Sequence, residues 1–388
     1  MKRIFALASL CLSCAITGQA QAPVLSAGAE IAVVTMGPSQ EELYSAFGHS
    51  GIRVYDSIRH FDVFFNYGVF NFNQPHFYLN FARGNLNYMV DAYEYQDNFN
   101  YYVAHHRFIH EQWLDLTLQQ KQRLFDFLWW NVQPANQGYR YDYFYNNCAT
   151  KIRDVFTSVL KQDVRFDSSY IQTHYTIRQL TDLYLAAQPW GDLGIDICLG
   201  LPMDKKARPY EYMFLPDYIE SSFDHAYNTT LGVPLVKKKF IAYQPAPEVT
   251  PFSWTHPWIV FGLVLALGTW ITWRDWQRKK ASGWFDIPFF LVLGLLGILL
   301  LLLWTMTDHK AAANNFNLLW ALPTHAVAAW ALAIRGNPRW LKSYFIITAV
   351  VSALVLAFWS VLPQALNTFL MPLVALVLLR SLLISKLR

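Results

Sequence analysis

The sequence predicts an exported α+β domain followed by a bundle of five membrane-crossing helices. Three observations predict it. The first residues have the layout of an export signal, the middle of the chain mixes strand-like and helix-like patterns, and the last third is built of long apolar runs. The positions of the basic residues then give those runs one consistent orientation.

Lys2 and Arg3 precede a short apolar core, "IFALASLCLSCAITG", and Ala20 and Ala22 offer small residues at −3 and −1 for cleavage before Pro23. Residues 1–22 therefore read as a signal peptide. Cys11 and Cys14 lie inside it without a convincing lipobox, so the exported chain keeps two of its four cysteines, Cys148 and Cys198. In an oxidising compartment such a pair is expected to form a disulfide unless one thiol has another task.

Residues 23–252 are enough for one domain with its own core. "EIAVVTMGP" reads as a strand stopped by Gly37-Pro38, and "SQEELYSAFG" as a short helix capped by Ser39, with Glu42 completing a capping box. "HSGIRVYD" and "HFDVFFNYGVF" read as a hairpin turning near residue 58. In the aromatic stretch that follows, 86–95 and 101–109 alternate like strands. "TLQQKQRLFDFLWWNVQ" and "CATKIRDVFTSVLKQ" repeat apolar residues at helical spacing. The proline-rich stretch 242–257 links this domain to the membrane part.

Five apolar runs, about 258–273, 287–304, 316–334, 344–362 and 369–384, have the length of membrane spans. Basic residues gather after the first (Arg274, Arg278, Lys279, Lys280), after the third (Arg335, Arg339, Lys342) and at the end (Lys386, Arg388). The positive-inside rule puts these loops and the C-terminus in the cytoplasm of a bacterial inner membrane, and the 23–252 domain in the periplasm. The net charge of +4 is thus a topology signal, and no basic stripe on the exported part suggests nucleic acid.

Cys148 follows Asn147 at the first turn of a helix, where free backbone N–H groups lower a thiol pKa and can hold an oxyanion, and Asn147 is itself a candidate to hold a substrate oxygen or the oxyanion. A nucleophile there needs a base, and His49, at the start of a strand after Gly48, is the best-placed histidine. The returning hairpin strand brings residues 66–67 opposite it. Asn66 is the expected third residue, with Asp62 and Tyr67 as substitutes. His105, His106 and His110 lack metal-like spacing, so neither a metal nor another cofactor is expected. The loop "TMTDHKAAANNFN" brings Asp308, His309 and Asn317 to the outer membrane surface as candidates for headgroup or amine contacts; His325, inside the third span, has either a packing or a functional role.

A His-bearing strand, its partner on the next strand and a distant "NNC" opening a helix resemble the circularly permuted NlpC/P60 papain-like fold, whose members include acyl-transferring enzymes. More closely, "FGHSGIRVYD", "NYGVFNF", "YNNCATKIRD" and "MFLPDYI", followed by several spans, resemble the Lnb family of bacterial lipoprotein N-acyltransferases. The resemblance implies a phospholipid acyl donor and a diacylated lipoprotein acceptor, with Cys148 as nucleophile and His49 as base. It does not supply the third residue, and Cys198 lies outside its motifs. The rival expectations are a membrane-anchored peptidoglycan endopeptidase on the same fold and a non-catalytic membrane scaffold.

Overall fold

A computed structural model describes residues 21–70, 73–246, 253–334 and 338–388. The proposed signal segment, with Cys11 and Cys14, lies almost wholly outside them, as does Arg335. The N-terminal part is mixed α/β. β1 (Ala29–Met36), β2 (His49–Asp56) and β3 (Phe61–Val69) form an antiparallel meander, followed by α1 (Phe77–Ala82), β4 (Leu86–Glu94), α2 (Tyr95–Ala104) and β5 (Ile109–Leu114). Next come α3 (Leu118–Asn131), β6 (Gly138–Tyr141) and α4 (Cys148–Leu160). β7 (Val164–Phe166), α5 (Ile177–Leu185), α6 (Pro189–Cys198), α7 (Pro209–Tyr212), α8 (Pro216–Asp224), β8 (Ala226–Asn228), β9 (Val233–Pro234) and β10 (Val236–Tyr243) complete it.

The main sheet has the order β10-β5-β1-β2-β3-β4-β6 and is antiparallel throughout. β1 lies inside the sheet between β5 and β2, and Ile31 to Val34 are wholly buried because helices cover one face and α2 part of the other. α4 packs across β2 and β3 through Ile152, Val155, Phe156 and Leu160, the apolar stripe visible in its sequence. Two local expectations change. Residues 101–104 belong to helix α2, not a strand; Tyr95, Asn98 and Tyr102 face inward at helical spacing. The segment after β1 forms only a short 3₁₀ turn, Leu43–Phe47, capped from Glu42 rather than Ser39.

The C-terminal part contains α9 (Pro257–Arg278), α10 (Gly283–Thr305), α11 (Thr324–Ala333), α12 (Trp340–Ala357) and α13 (Met371–Leu387). Among the described residues four helical stretches are long and apolar enough to cross a membrane, and a fifth crossing requires the pair Lys310–Leu319 and Thr324–Ala333, bent by 42°. The third expected span is therefore broken rather than straight. Pro323 cannot donate to the turn before it, and Asn315 and Asn317 turn their side chains to backbone carbonyls of α6 instead. A carbon added to Gly297 would lie 2.1 Å from Ala321 O, so only glycine lets α10 approach the break this closely.

Two buried charge groups hold the parts together. At the end of the bundle away from the N-terminal domain, Arg380 is fully buried and donates to both oxygens of Asp286 (2.7 and 2.8 Å) and to Asp275 (2.9 Å). At the junction, Asn367, just before α13, donates to Asp192 (2.9 Å) and Asp196 (3.0 Å) of α6, while buried Arg178 of α5 binds Asp196 and Asp204. Gly200 N donates to Ala311 O at 2.7 Å, and Gln364 to Leu199 O at 2.9 Å.

Candidate functional site

Cys148 opens α4 because Asn147 ends the extended segment before it. The Asn147 side-chain oxygen accepts from Thr150 N (2.9 Å), and Thr150 Oγ1 accepts from Asn147 N (2.7 Å). Such a cap contributes about 1 kcal/mol. The Asn147 amide also donates to Tyr143 O (2.9 Å) and Phe214 O (2.7 Å). It is thus spent on holding the helix tip, and is not free to hold a substrate oxygen as expected for it. Cys148 itself is a free thiol, 9% exposed, and Cys198 is free as well, so no bridge joins them.

His49 begins β2 on the strand beside α4. The pairing Ile52↔Phe65 puts Gly68, not residues 66–67, across from position 49, so Asn66 reaches the ring diagonally on the same face. His49 Nε2 donates to Asn66 Oδ1 at 2.6 Å; the Asn66 amide donates to Tyr93 OH (3.0 Å), which donates to Asn98 Oδ1 (3.3 Å). Because the Asn66 amide nitrogen is committed to Tyr93, its oxygen must face the ring. That fixes the tautomer with Nε2 protonated and leaves Nδ1 with its lone pair.

Gly68 brings the two side chains to one point. It has φ +94°, and a carbon added to it would lie 3.4 Å from Cys148 Cβ and 3.8 Å from His49 Cε1. Any larger residue would wedge between them and adopt a strained backbone. The helix tip does not by itself activate the thiol as expected. Backbone N–H groups of Ser50, Ala149 and Cys148 itself favour the thiolate, but burial outweighs them and pushes the thiol up to about 11. Burial likewise drives His49 down to about 4, against the hydrogen bond to Asn66 and with help from the Arg107 charge. At neutral pH the pair is a thiol and a neutral imidazole.

Two consequences can be measured. Alkylation of Cys148 in the full chain should keep rising through pH 8–10, since the thiol titrates near 11; a plateau below pH 7 would indicate a preformed thiolate–imidazolium pair. For stability the sign runs the other way in acid. His49 titrates at about 4 when folded against 6.5 ordinarily, so the unfolded chain binds the extra proton and stability is lost as pH falls from 6.5 to 4. Separately, Asn66→Ala should lower turnover about tenfold, the worth of one orienting hydrogen bond, while leaving KM near its original value. Unchanged turnover would show that Asn66 does not position the ring.

The remaining expected residues are placed elsewhere. Tyr67 points into the core and donates to Asn131 (2.7 Å), as alternation along β3 demands once Asn66 faces His49. Asp62 lies at the other end of the hairpin in a bidentate pair with Arg53 (2.6 and 2.8 Å). Asp308 pairs with Arg140 (2.6 Å) and His309 bonds Phe81 O (3.1 Å), both fastening the membrane loop to the segment around α1 and β6. Asn317 is buried between Ile197 O and the Trp320 indole, and His325 between Trp320 O and Tyr344 OH. Asn317 and His325 are thus packed inside, whereas Asp308 remains largely exposed.

Sequence reading missed two groups. An aromatic cluster of Phe70, Phe77, Tyr88 and Tyr141 runs from beside Cys148 toward α1, whose Tyr78, Leu79 and Phe81 are exposed next to the 308–309 loop. Its members are scattered through an aromatic-rich segment with no period to single them out. Arg107 is the other: it lines a cavity of about 410 Å³ with His49, Asn66, Gly68 and Tyr102. Among the described residues Asp182, Asp192 and Asp196 bring carboxylate oxygens within 4.8 Å of one another. There burial raises Asp182 to about 8 and Asp192 to about 6, and Arg178 and Asn367 already bind this group, which makes it a clamp between the two parts.

A membrane protein with a sheet-based N-terminal domain that sets a free thiol beside an oriented imidazole is the class these observations define. Two family models match the chain: the Lnb N-terminal periplasmic domain over residues 26–183 and the Lnb transmembrane domain over 249–388. The chain belongs to the Lnb family. No curated protein and no solved structure matches it.

Proposed function

We propose that this protein is a lipoprotein N-acyltransferase that moves a fatty acyl chain from a phospholipid, through a thioester on Cys148, to the α-amino group of the lipid-modified N-terminal cysteine of a diacylated lipoprotein. The observation that carries the reading is the buried free thiol beside a histidine whose tautomer Asn66 fixes, at the head of an aromatic path toward the membrane loop. The His-bearing hairpin preceding the Cys-bearing helix is also the order a permuted papain-like domain requires. The site would then face the periplasmic side of the inner membrane, with the C-terminus in the cytoplasm.

His49 Nδ1 takes the thiol proton as sulfur attacks the donor ester carbonyl. The carbon–oxygen ester bond breaks, and the departing lysophospholipid oxygen takes that proton from the imidazolium. The lipoprotein amine then attacks the thioester, a carbon–nitrogen bond forms, and the carbon–sulfur bond breaks. One amine proton returns to sulfur through His49. Backbone N–H groups of Ser50 and Ala149, already directed at the sulfur, are near where each tetrahedral oxyanion develops. A neutral pair suits both half-reactions, because the imidazole is available as base for the thiol and again for the amine. Burial keeps water from the thioester while it waits.

The test is the full chain in phosphatidylglycerol–phosphatidylethanolamine vesicles with a synthetic diacylated lipopeptide. The lipopeptide should gain one acyl chain at its amine by mass spectrometry. An unchanged lipopeptide together with cleaved cell-wall peptides would overturn the reading in favour of an endopeptidase.

A further inference from the structure

Arg107 follows α2 and is 6% exposed. Its Nε donates to Gly37 O at 2.6 Å, and its guanidinium lies 4.5 Å from the Tyr102 ring centre. Tyr102 in turn stacks on His49 at 9° between planes. The η-nitrogen NH2 is buried with no acceptor, and no carboxylate pairs with this arginine among the described residues. Asp97 lines the same cavity of about 410 Å³ but makes no ion pair with it. A strut to Gly37 needs only Nε. A buried guanidinium without a counter-charge is costly, since its charge is stripped of water and not compensated. Its field reaches the reacting pair, opposing the burial-driven rise at Cys148 and adding to the burial-driven fall at His49.

We propose that Arg107 forms an anion subsite beside Cys148 and His49 that holds the phosphodiester of the acyl-donor lipid. The inference rests on the acyl-transfer reading and adds the part of the donor that is recognised. A phosphodiester supplies the missing counter-charge, and the planar guanidinium offers paired donors to two of its oxygens. In a glycerophospholipid the phosphate stands a few bonds from the acyl ester, so a phosphate on Arg107 brings that ester toward the thiol. Donors lacking phosphate gain nothing from this residue.

The experiment uses the full chain in dodecyl maltoside with two short-chain donors, dihexanoylphosphatidylglycerol and dihexanoylglycerol, and reads acylation of Cys148 by intact mass. Arg107→Met should slow acylation by the phospholipid at least about tenfold and change that by the diacylglycerol less than about twofold. Arg107→Lys, which keeps the charge without the fork, should fall between. Equal losses with both donors, or no loss with either, would overturn the subsite.

Protection of unsubstituted Cys148 from iodoacetamide separates this inference from the acyl-transfer reading. The phospholipid should protect several-fold better than the diacylglycerol, even if neither donor leaves an acyl group on the thiol. Absence of acylation in unsubstituted protein would count against acyl transfer, whereas equal protection by both lipids would count against the subsite. Inorganic phosphate protecting as well as the phospholipid would overturn the lipid assignment in favour of a free anion.

Discussion

Cys148→Ala is expected to abolish acylation of the protein by phospholipid, and His49→Ala to slow it roughly 10³-fold, within the range that general acid–base catalysis supplies. The asymmetry follows from the bonds involved. Without sulfur no thioester can form, whereas without the imidazole the thiol still ionises, though rarely, because burial holds it near 11. The rate left in His49→Ala should therefore climb with pH toward that value, while the unsubstituted rate stays level above the His49 titration near 4. Quench-flow trapping of the acylated chain, followed by intact mass, measures both. A His49→Ala variant with a full rate at pH 7 would remove the histidine from the chemistry. Labelling of Cys148→Ala to the original extent would show another nucleophile.

The largest effect on stability is expected far from the thiol. Arg380→Met leaves Asp275 and Asp286 buried, each 1% exposed, without the guanidinium that bonds both. Breaking a buried pair by removing one partner typically costs about 3–5 kcal/mol. Some relief comes from Ser282, whose N and Oγ bond Asp275 at 2.8 and 2.6 Å, and from Arg274 at 3.3 Å. Asp286 has no comparable second partner in these contacts. The unfolding midpoint in detergent should fall by roughly 5–15 °C, and Arg380→Met with Asp286→Asn should recover part of the loss. An unchanged midpoint would mean that the group is not structural and would redirect attention to it as a functional intramembrane charge.

Much of the arrangement was legible in the sequence because it follows from short-range rules. The α4 stripe and the β2–β3 hairpin each depend on residues a few positions apart, and each was read correctly from them, whereas Asn147, read as an oxyanion candidate, is the helix cap. Asn66 was reached for a cruder reason. Placing the turn near 58 put residues 66–67 across from His49, whereas the pairing is one step further on, and Asn66 serves only because diagonal neighbours on one face still touch. The same face rule excludes Tyr67.

What the sequence did not disclose depends on long-range packing. Nothing near Cys148 signals that burial would outweigh the helix-tip N–H groups, since the covering residues come from β2, β3 and β6. Nothing near Arg107 marks it as unpaired, because that is a property of everything around it. The third span was read as continuous because hydropathy does not register that Asn315 and Asn317 are drawn to α6 carbonyls, nor that Gly297 seats the break.

Under the proposed function, the bonds that tie α6 and its neighbours to the 311–317 and 364–367 stretches would bear on which acceptors can be served. A domain on a loose tether would sample many heights above a lipid surface. One riveted at several points keeps its sulfur at a single elevation, like the needle of a fixed gauge. On the acyl-transfer reading, molecules anchored in the leaflet would arrive with their reactive ends at a set depth, and the rivets would select among them by reach before any side chain inspects their chemistry.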